Sequence, residues 1–535
     1  MRRWNGWGDE AVVDRLAPGA ADMLADLVGP ADPARPGDVR LEDAVAAVPA
    51  SRLAASALVS TDAQDRLRHA RGQSLPDWIA LRTGRIGAFP DGVARPASGE
   101  DVRDLLARAA AAGATVIPYG GGTSVVGGVD PRGSDAPILA IDLERLSDLE
   151  SYDEVSGLAT FGAGTTGPSV EASLGPLGRR LGHYPQSWEY STVGGWVATR
   201  SSGQQSLGYG RIEALFAGGT LEAPAGTLDL PPHPASAAGP DLRQVVLGSE
   251  GRLGIVTRAV LRTAPLPDVE RTQAYFLPDL ERGLAVVREL ADARLPLAMI
   301  RLSTRAETMT TLALAGHPRQ VALLARYLRL RGLGPERCLL LVGAAGRRAV
   351  AVPALRAATS IVRQHRGILA PGGLGERWMR DRFRTAYLRN ALWEAGYAVD
   401  TLETAADWSR VPGLLGDLAP ILRNALADVD ERAHAFTHLS HVYPSGSSLY
   451  TTYLFRLAAD PDETLRRWTV LKAAASRAIV AHGGTISHQH GVGIDHAAYL
   501  PAEKGSLGMA ALADLAHRFD PAGVMNPAVL LGGGR

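Results

Sequence analysis

Three consecutive glycines, Gly120, Gly121 and Gly122, are preceded by Pro118 and Tyr119 and followed by Thr123 and Ser124. A glycine run leaves main-chain N–H groups bare and lets another molecule approach the backbone closely. With two hydroxyls beside it, the segment suits a diphosphate held by main chain and neutral donors. No Gly-Lys-Ser/Thr ending follows, so a P-loop for ATP or GTP is excluded. Standing alone, a Gly-rich segment is as readily an ordinary tight turn. Other segments shift that balance. His183–Gly195 is dense in hydrogen-bonding residues and ends in a glycine pair, Thr199–Gly203 follows closely, and Leu247–Val256 is a further Gly-rich turn that feeds a strand. So many backbone-exposing segments in one domain suit a long, extended ligand such as FAD.

Gly162-Ala163-Gly164-Thr165-Thr166-Gly167 matches the GxGxxG pattern, with a strand before it and a helix-like segment after it. A Rossmann NAD site also needs an acidic residue closing the second strand of a βαβ unit. Glu189 has the right distance but lies among Pro185, Gln186, Ser187, Trp188 and Tyr190, not in a Val/Ile-rich strand. The unit is not completed.

A second chemical centre is Gly483-Gly484-Thr485-Ile486-Ser487-His488-Gln489-His490-Gly491. Two histidines between glycines could ligate a metal with His438 and His441, but no carboxylate stands at ligand spacing beside them. The sequence reading therefore assigns no metal.

These residues need elements to hold them. Residues 1–84 read as an N-terminal helical region, and residues 85–267 as a cofactor domain. In that domain a helix over 101–112 precedes a strand into the Gly120 loop, a second strand over 138–142 and a third over 157–162. The Pro/Ala/Gly-rich stretch 223–239 reads as a loop. Residues 268–440 alternate helix and strand, as a substrate or cap domain whose sheet is covered by helices. Residues 441–535 form a C-terminal region that closes the active site and returns to the FAD domain, with a strand over 448–457 and helices over 462–482 and 510–518. The fold class is α+β.

Composition bounds the function. The chain has 535 residues, 46% hydrophobic and 21% charged, with formal net charge zero. Nothing in that balance suggests nucleic acid. The single cysteine, Cys338, excludes an internal disulfide and a cysteine metal cluster. The first residues lack a signal peptide's apolar stretch and no run reaches membrane-spanning length, so the expectation is a soluble, cytoplasmic protein.

The Gly120 loop, the His183–Trp196 block, Ser249–Gly254 and the His488 turn together closely resemble the FAD domain and active site of the vanillyl-alcohol oxidase and p-cresol methylhydroxylase superfamily. Within it, the chain is most similar to the alkylglycerone-phosphate (alkyl-dihydroxyacetone-phosphate) synthase family, from Arg3-Trp4-Asn5-Gly6-Trp7-Gly8 to the terminal histidine turn. The resemblance implies a two-part FAD-binding domain of the p-cresol methylhydroxylase type and an α/β cap domain with an antiparallel sheet. It implies FAD contacts at Pro118, Tyr119, Gly120, Gly121, Gly122, Thr123 and Ser124, and at Gln186, Ser187, Ser191 and Thr192. Further contacts fall on Gly195, Thr199 and Ser202, and on Glu250, Gly254, Ile255 and Val256. Some superfamily members bind FAD covalently through histidine or cysteine. The Gly120 loop offers neither, so the FAD is expected to be non-covalent.

By the same resemblance Tyr450 is the catalytic tyrosine, with His488, His490, Arg301 and His183 around it, while Arg389 and Arg301 hold substrate phosphate. A basic tyrosine needs positive charge nearby, which His488, His490 and Arg301 would supply. In the family three successive histidines stand at the turn. Here the middle one is Gln489, which cannot carry a proton at neutral pH. The implied reaction exchanges the acyl group of acyl-dihydroxyacetone phosphate for a fatty alcohol through a flavin N5 adduct, without net redox change. The alternative, which Gln489 favours, is an FAD-dependent dehydrogenase or oxidase of a 2-hydroxy acid or other alcohol. The expected partner is a small-molecule or lipid-phosphate substrate, with peripheral membrane association and a homodimer left open.

Overall fold

The computed structural model describes residues 1–17, 19–35, 37–132, 135–314 and 318–532. The cofactor domain is built on two sheets. The helix Gly99–Ala112 starts where the Ser98 side chain accepts from the Asp101 N–H, and ends at Gly113, whose φ of 61° suits a residue without Cβ. Its Val102, Leu105, Leu106 and Ala109 are buried, the spacing of one helical face. The chain then enters strand Thr115–Tyr119, which pairs in parallel with Ile138–Asp142. All five residues of Ile138–Asp142 are buried, and Gly92–Ala94 lies parallel on its other side. The Gly120 loop therefore leaves the carboxyl end of a parallel strand.

The second sheet has five antiparallel strands in the order Leu149–Asp153, Leu158–Gly162, Ile255–Arg262, Phe216–Ala223, Gly226–Leu230. The GxGxxG segment follows Leu158–Gly162, whose partners are all antiparallel. Its glycines are required by packing. A Cβ on Gly164 would overlap the Leu143 carbonyl, and one on Gly167 the Trp188 ring. The stretch 223–239 is corrected in part: it contains the strand Gly226–Leu230, paired to Phe216–Ala223.

The cap sheet has seven strands in the order Ile368–Leu369, Val269–Leu277, Cys338–Gly346, Met299–Ser303, His434–Val442, Gly446–Arg456, Tyr397–Asp407. A boundary at 440 falls inside His434–Val442, and Gly446–Arg456 is paired on both sides, so the sheet continues to residue 456. Helices Leu280–Asp292, Arg348–Gln364, Val411–Asn424 and Pro461–Ala481 cover it with buried aliphatic residues. The last helix is longer than predicted, Leu500–Phe519, with a break at Gly505. After it the chain returns to the cofactor domain, where Val116 N–H donates to Val524 O and Asn526 N–H to Val116 O, both at 2.8 Å. Cys338 is buried with a free thiol, raised to about 12 by burial. No helix among the described residues is long and apolar enough to cross a membrane.

Candidate active site

A cavity of about 1430 Å³ lies between the cofactor domain and the cap sheet. That exceeds the usual range for one small ligand, about 300–1,000 Å³, and leaves room for a dinucleotide and a second molecule. All the expected cofactor segments reach its wall: Pro118–Ser124, Gln186, Ser187, Ser191, Thr192, Gly195, Thr199, Ser202, Glu250 and Gly254–Val256. Arg301, Arg389, Tyr450 and His490 also line it. His183 and His488 do not.

The Gly120 loop fits a diphosphate. Among the described residues, no N–H from Gly120 to Ser124 donates a hydrogen bond inside the protein. The loop lies so close to the next segment that a Cβ on Gly121 would overlap the Tyr190 carbonyl, and one on Gly120 the Thr192 hydroxyl. Gly122 has φ 57° and sits against the Tyr119 hydroxyl. Glycine is therefore needed both by the fold and by the cradle. Thr192 caps the helix Val193–Thr199 by accepting from the Gly195 N–H. The Gly120 loop and the segments beside it offer glycine, serine and threonine donors that suit FAD.

Glu250 has a second task. Its two carboxylate oxygens accept from the Val492 and Gly493 N–H groups, each at 2.6 Å, and so pin the end of the histidine turn to the cofactor domain. Burial nevertheless raises its pKa to about 7, although those two N–H groups pull it down.

Tyr450 stands on the strand Gly446–Arg456, opposite His438 on one neighbour and Glu403 on the other. The His438 ring stacks on it at 5.0 Å, and the His490 ring meets it edge-on at 6.1 Å. The phenol is raised to about 12 by burial, with a Thr401 hydrogen bond acting the other way. Burial also lowers the pKa of His438 and His490. A neutral His490 does not supply the positive charge that a basic Tyr450 requires, and the expectation is corrected for that residue.

Arg301 is corrected similarly. Its partner is a protein carboxylate, Glu307, at 2.6 Å, and its guanidinium lies over the Trp378 ring. Glu307 also accepts from His438 Nδ1 at 2.9 Å. Nδ1 then carries the hydrogen, so its 3.1 Å approach to the Arg301 guanidinium is a close contact rather than a hydrogen bond. Arg389 differs. No carboxylate pairs with it among the described residues; it donates to the Gln73 carbonyl and stacks over Trp78 at 4.3 Å. Burial lowers its pKa to about 10, still cationic at neutral pH. It is the better seat for an anionic substrate group.

His183 is buried behind the wall, its Nε2 3.1 Å from Ser201 Oγ and its ring against Trp196. Burial lowers it to about 3, so it serves there as a neutral packing and hydrogen-bonding residue. His488 is also buried, with Nε2 2.7 Å from the Tyr443 hydroxyl. The residue that the sequence reading missed is Glu403. It accepts from Ser440 Oγ at 2.8 Å and from the Gln489 amide, and lies 3.2 Å from His488 Nδ1. His488, with His441 and His490 behind it, holds its carboxyl far below the usual carboxylate range despite full burial. Gln489 thus keeps a donor's role toward Glu403 without a titrating group.

Part of the cavity wall is apolar. Leu312, Leu314, Val321, Leu324, Leu374 and Leu392 line it, from helices Arg305–Leu314, Pro318–Leu330, Leu374–Asp381 and Leu388–Glu394.

Known proteins resemble this arrangement along most of the chain. Residues 90–228 match the FAD binding domain family, and residues 266–530 the family of the C-terminal domain of FAD linked oxidases. The alkyldihydroxyacetonephosphate synthase of Dictyostelium discoideum is 29% identical over 475 residues, 87% of this chain and 77% of that protein. The synthase of the same name from Caenorhabditis elegans is 29% identical over 489 residues, 88% of this chain and 81% of its own. A solved structure of an alkyldihydroxyacetonephosphate synthase superposes with a TM-score of 0.84 at 25% identity, covering 98% of both chains.

Proposed function

We propose that this chain, a flavoprotein belonging to the FAD-linked oxidases with their FAD binding and C-terminal domains, exchanges the acyl group of an acyl-dihydroxyacetone phosphate for a fatty alcohol. The observation that carries the reading is the set of aliphatic residues, Leu312, Leu314, Val321, Leu324, Leu374 and Leu392, lining the same cavity as the FAD cradle, Tyr450 and Arg389. A long alkyl chain gains burial there that a 2-hydroxy acid has no atoms to gain. The similarity to the two synthases over most of this chain's length supports the same reading.

When bound, FAD supplies a ring that takes up and returns an electron pair, so that no net oxidation results. The protein's own groups do the rest. Arg389 holds the phosphate as a charged donor. Tyr450 holds a proton at its hydroxyl beside the reacting carbons. Neutral His490 and His438 flank it and accept or return protons. Overall an ester C–O bond is replaced by an ether C–O bond. The fatty acid leaves as carboxylate, and the alcohol's proton is released. Leu323 and Leu330 are exposed on the helix whose Val321 and Leu324 line the cavity. That exposure supports peripheral contact with a lipid surface, from which a fatty alcohol would enter.

The test is anaerobic. FAD-loaded protein is given acyl-dihydroxyacetone phosphate and a labelled fatty alcohol with no electron acceptor. Label in the ether product is expected. Absence of label, together with flavin bleaching by a 2-hydroxy acid and reoxidation by a dye, would overturn the proposal in favour of a dehydrogenase.

A further inference from the structure

We infer that Glu403, His441 and His488 form a divalent-cation site of the kind zinc occupies, with its fourth position open toward the cavity. This does not depend on the exchange reaction. The histidine turn has no carboxylate nearby in sequence, but strand Tyr397–Asp407 brings Glu403 to it. Glu403 Oε1 lies 3.2 Å from His488 Nδ1 and 3.9 Å from His441 Nε2, and the three donor atoms all fall within 4.8 Å of one another. A tetrahedral cation with bonds of about 2.0–2.2 Å needs ligand atoms roughly 3.4 Å apart. Two imidazoles and a carboxylate are a donor set such a cation takes.

The surroundings are those of a built site. Metal-bound histidines donate their other ring nitrogen to a fixed partner. His441 Nδ1 faces Ser202 Oγ at 3.2 Å, and His488 Nε2 faces the Tyr443 hydroxyl at 2.7 Å. The carboxylate is oriented too, Oε1 by Ser440 and Oε2 by Gln489. His488 Nδ1 is buried and lies 3.2 Å from the carboxylate without making a well-aligned hydrogen bond to it. Arg211 donates to the His488 carbonyl at 2.7 Å and pairs with Glu213 at 3.5 Å. Of the three ligands His441 lines the cavity, which puts the open position on that side.

The FAD-loaded protein, stripped with a chelator and desalted, is titrated with Zn²⁺ alone and with Co²⁺ alone. One equivalent of zinc is expected to survive desalting. Co²⁺ is expected to give tetrahedral bands to the red of the oxidised flavin. Glu403→Gln should abolish both signals. Tyr443→Phe, which leaves the ligands in place, should weaken binding about tenfold to a hundredfold with flavin content unchanged. Should Glu403→Gln fail to fold, His441→Gln replaces it. No retained metal in the wild-type protein, or retention unaltered by Tyr443→Phe and by the ligand variant, overturns the site.

Discussion

A phenol buried beside neutral imidazoles keeps its proton, and that decides how Tyr450 can act. Its pKa stands at about 12, Arg301 spends its charge on Glu307, and burial lowers both flanking histidines. Tyr450 therefore enters the reaction at neutral pH as a proton donor or hydrogen-bond donor, not as a resting base. Tyr450→Phe is expected to slow incorporation of labelled alcohol by at least about a hundredfold, the usual contribution of a positioned acid or base. Flavin absorbance should remain, since the cradle lies on other strands. Turnover within threefold of wild type would remove Tyr450 from the chemistry. Tyr450, His490 and Arg389 were named through the family resemblance, and all three line the cavity. Glu403 and Glu307 were not named. Neither has any local signal, and each gains its role from a neighbour far along the chain, Glu403 opposite Tyr450 and Glu307 against His438.

At the level of elements, positions were readable where the apolar pattern was simple, a helical period in Gly99–Ala112 and an unbroken apolar run in Ile138–Asp142. Pairing order was not, because a register is set by packing between segments that are distant in sequence. The N-terminal motif Arg3–Gly8 shows the same limit. Its residues pointed to the family, but their physical task appears only in three dimensions. The Trp7 N–H donates to Asn390 Oδ1 at 3.1 Å, and Asn390 Nδ2 donates to Trp7 O at 2.9 Å. Asn390 follows Arg389 on the helix Leu388–Glu394, so this N-terminal arm is tied to that helix. Asn390→Ala removes both bonds and leaves a buried N–H and carbonyl unpaired, at a cost of about 2–4 kcal/mol. A lower melting temperature and a raised KM for the phosphate-bearing substrate are expected, with the KM for the alcohol moving less. Equal changes in both KM values would show that the arm does not position Arg389.

Across the whole molecule, burial between domains sets how stability responds to pH. His183, His434, His438, His441, His490 and His496 all have pKa values lowered by burial. Once unfolded, these six would bind protons below about pH 6.5. The stability they give is thus present above that pH and lost as pH falls. Asp77, Glu250 and Asp495 act the other way. Burial raises them to about 6, 7 and 7, so their contribution is present at low pH and lost as pH rises through those values. Between pH 5 and 6.5 the histidines outnumber the carboxylates, and each uncompensated proton changes stability by about 1.4 kcal/mol per pH unit. The melting temperature should therefore rise from pH 5 to pH 7.5. His434 isolates the cause, since burial lowers it to about 4 and its partner is Thr310, at 2.9 Å. His434→Gln keeps a hydrogen-bonding group there but removes the titration, so the gap in melting temperature between pH 5 and pH 7.5 should narrow. A gap that stays the same or widens would mean that the acid sensitivity arises elsewhere than in buried imidazoles.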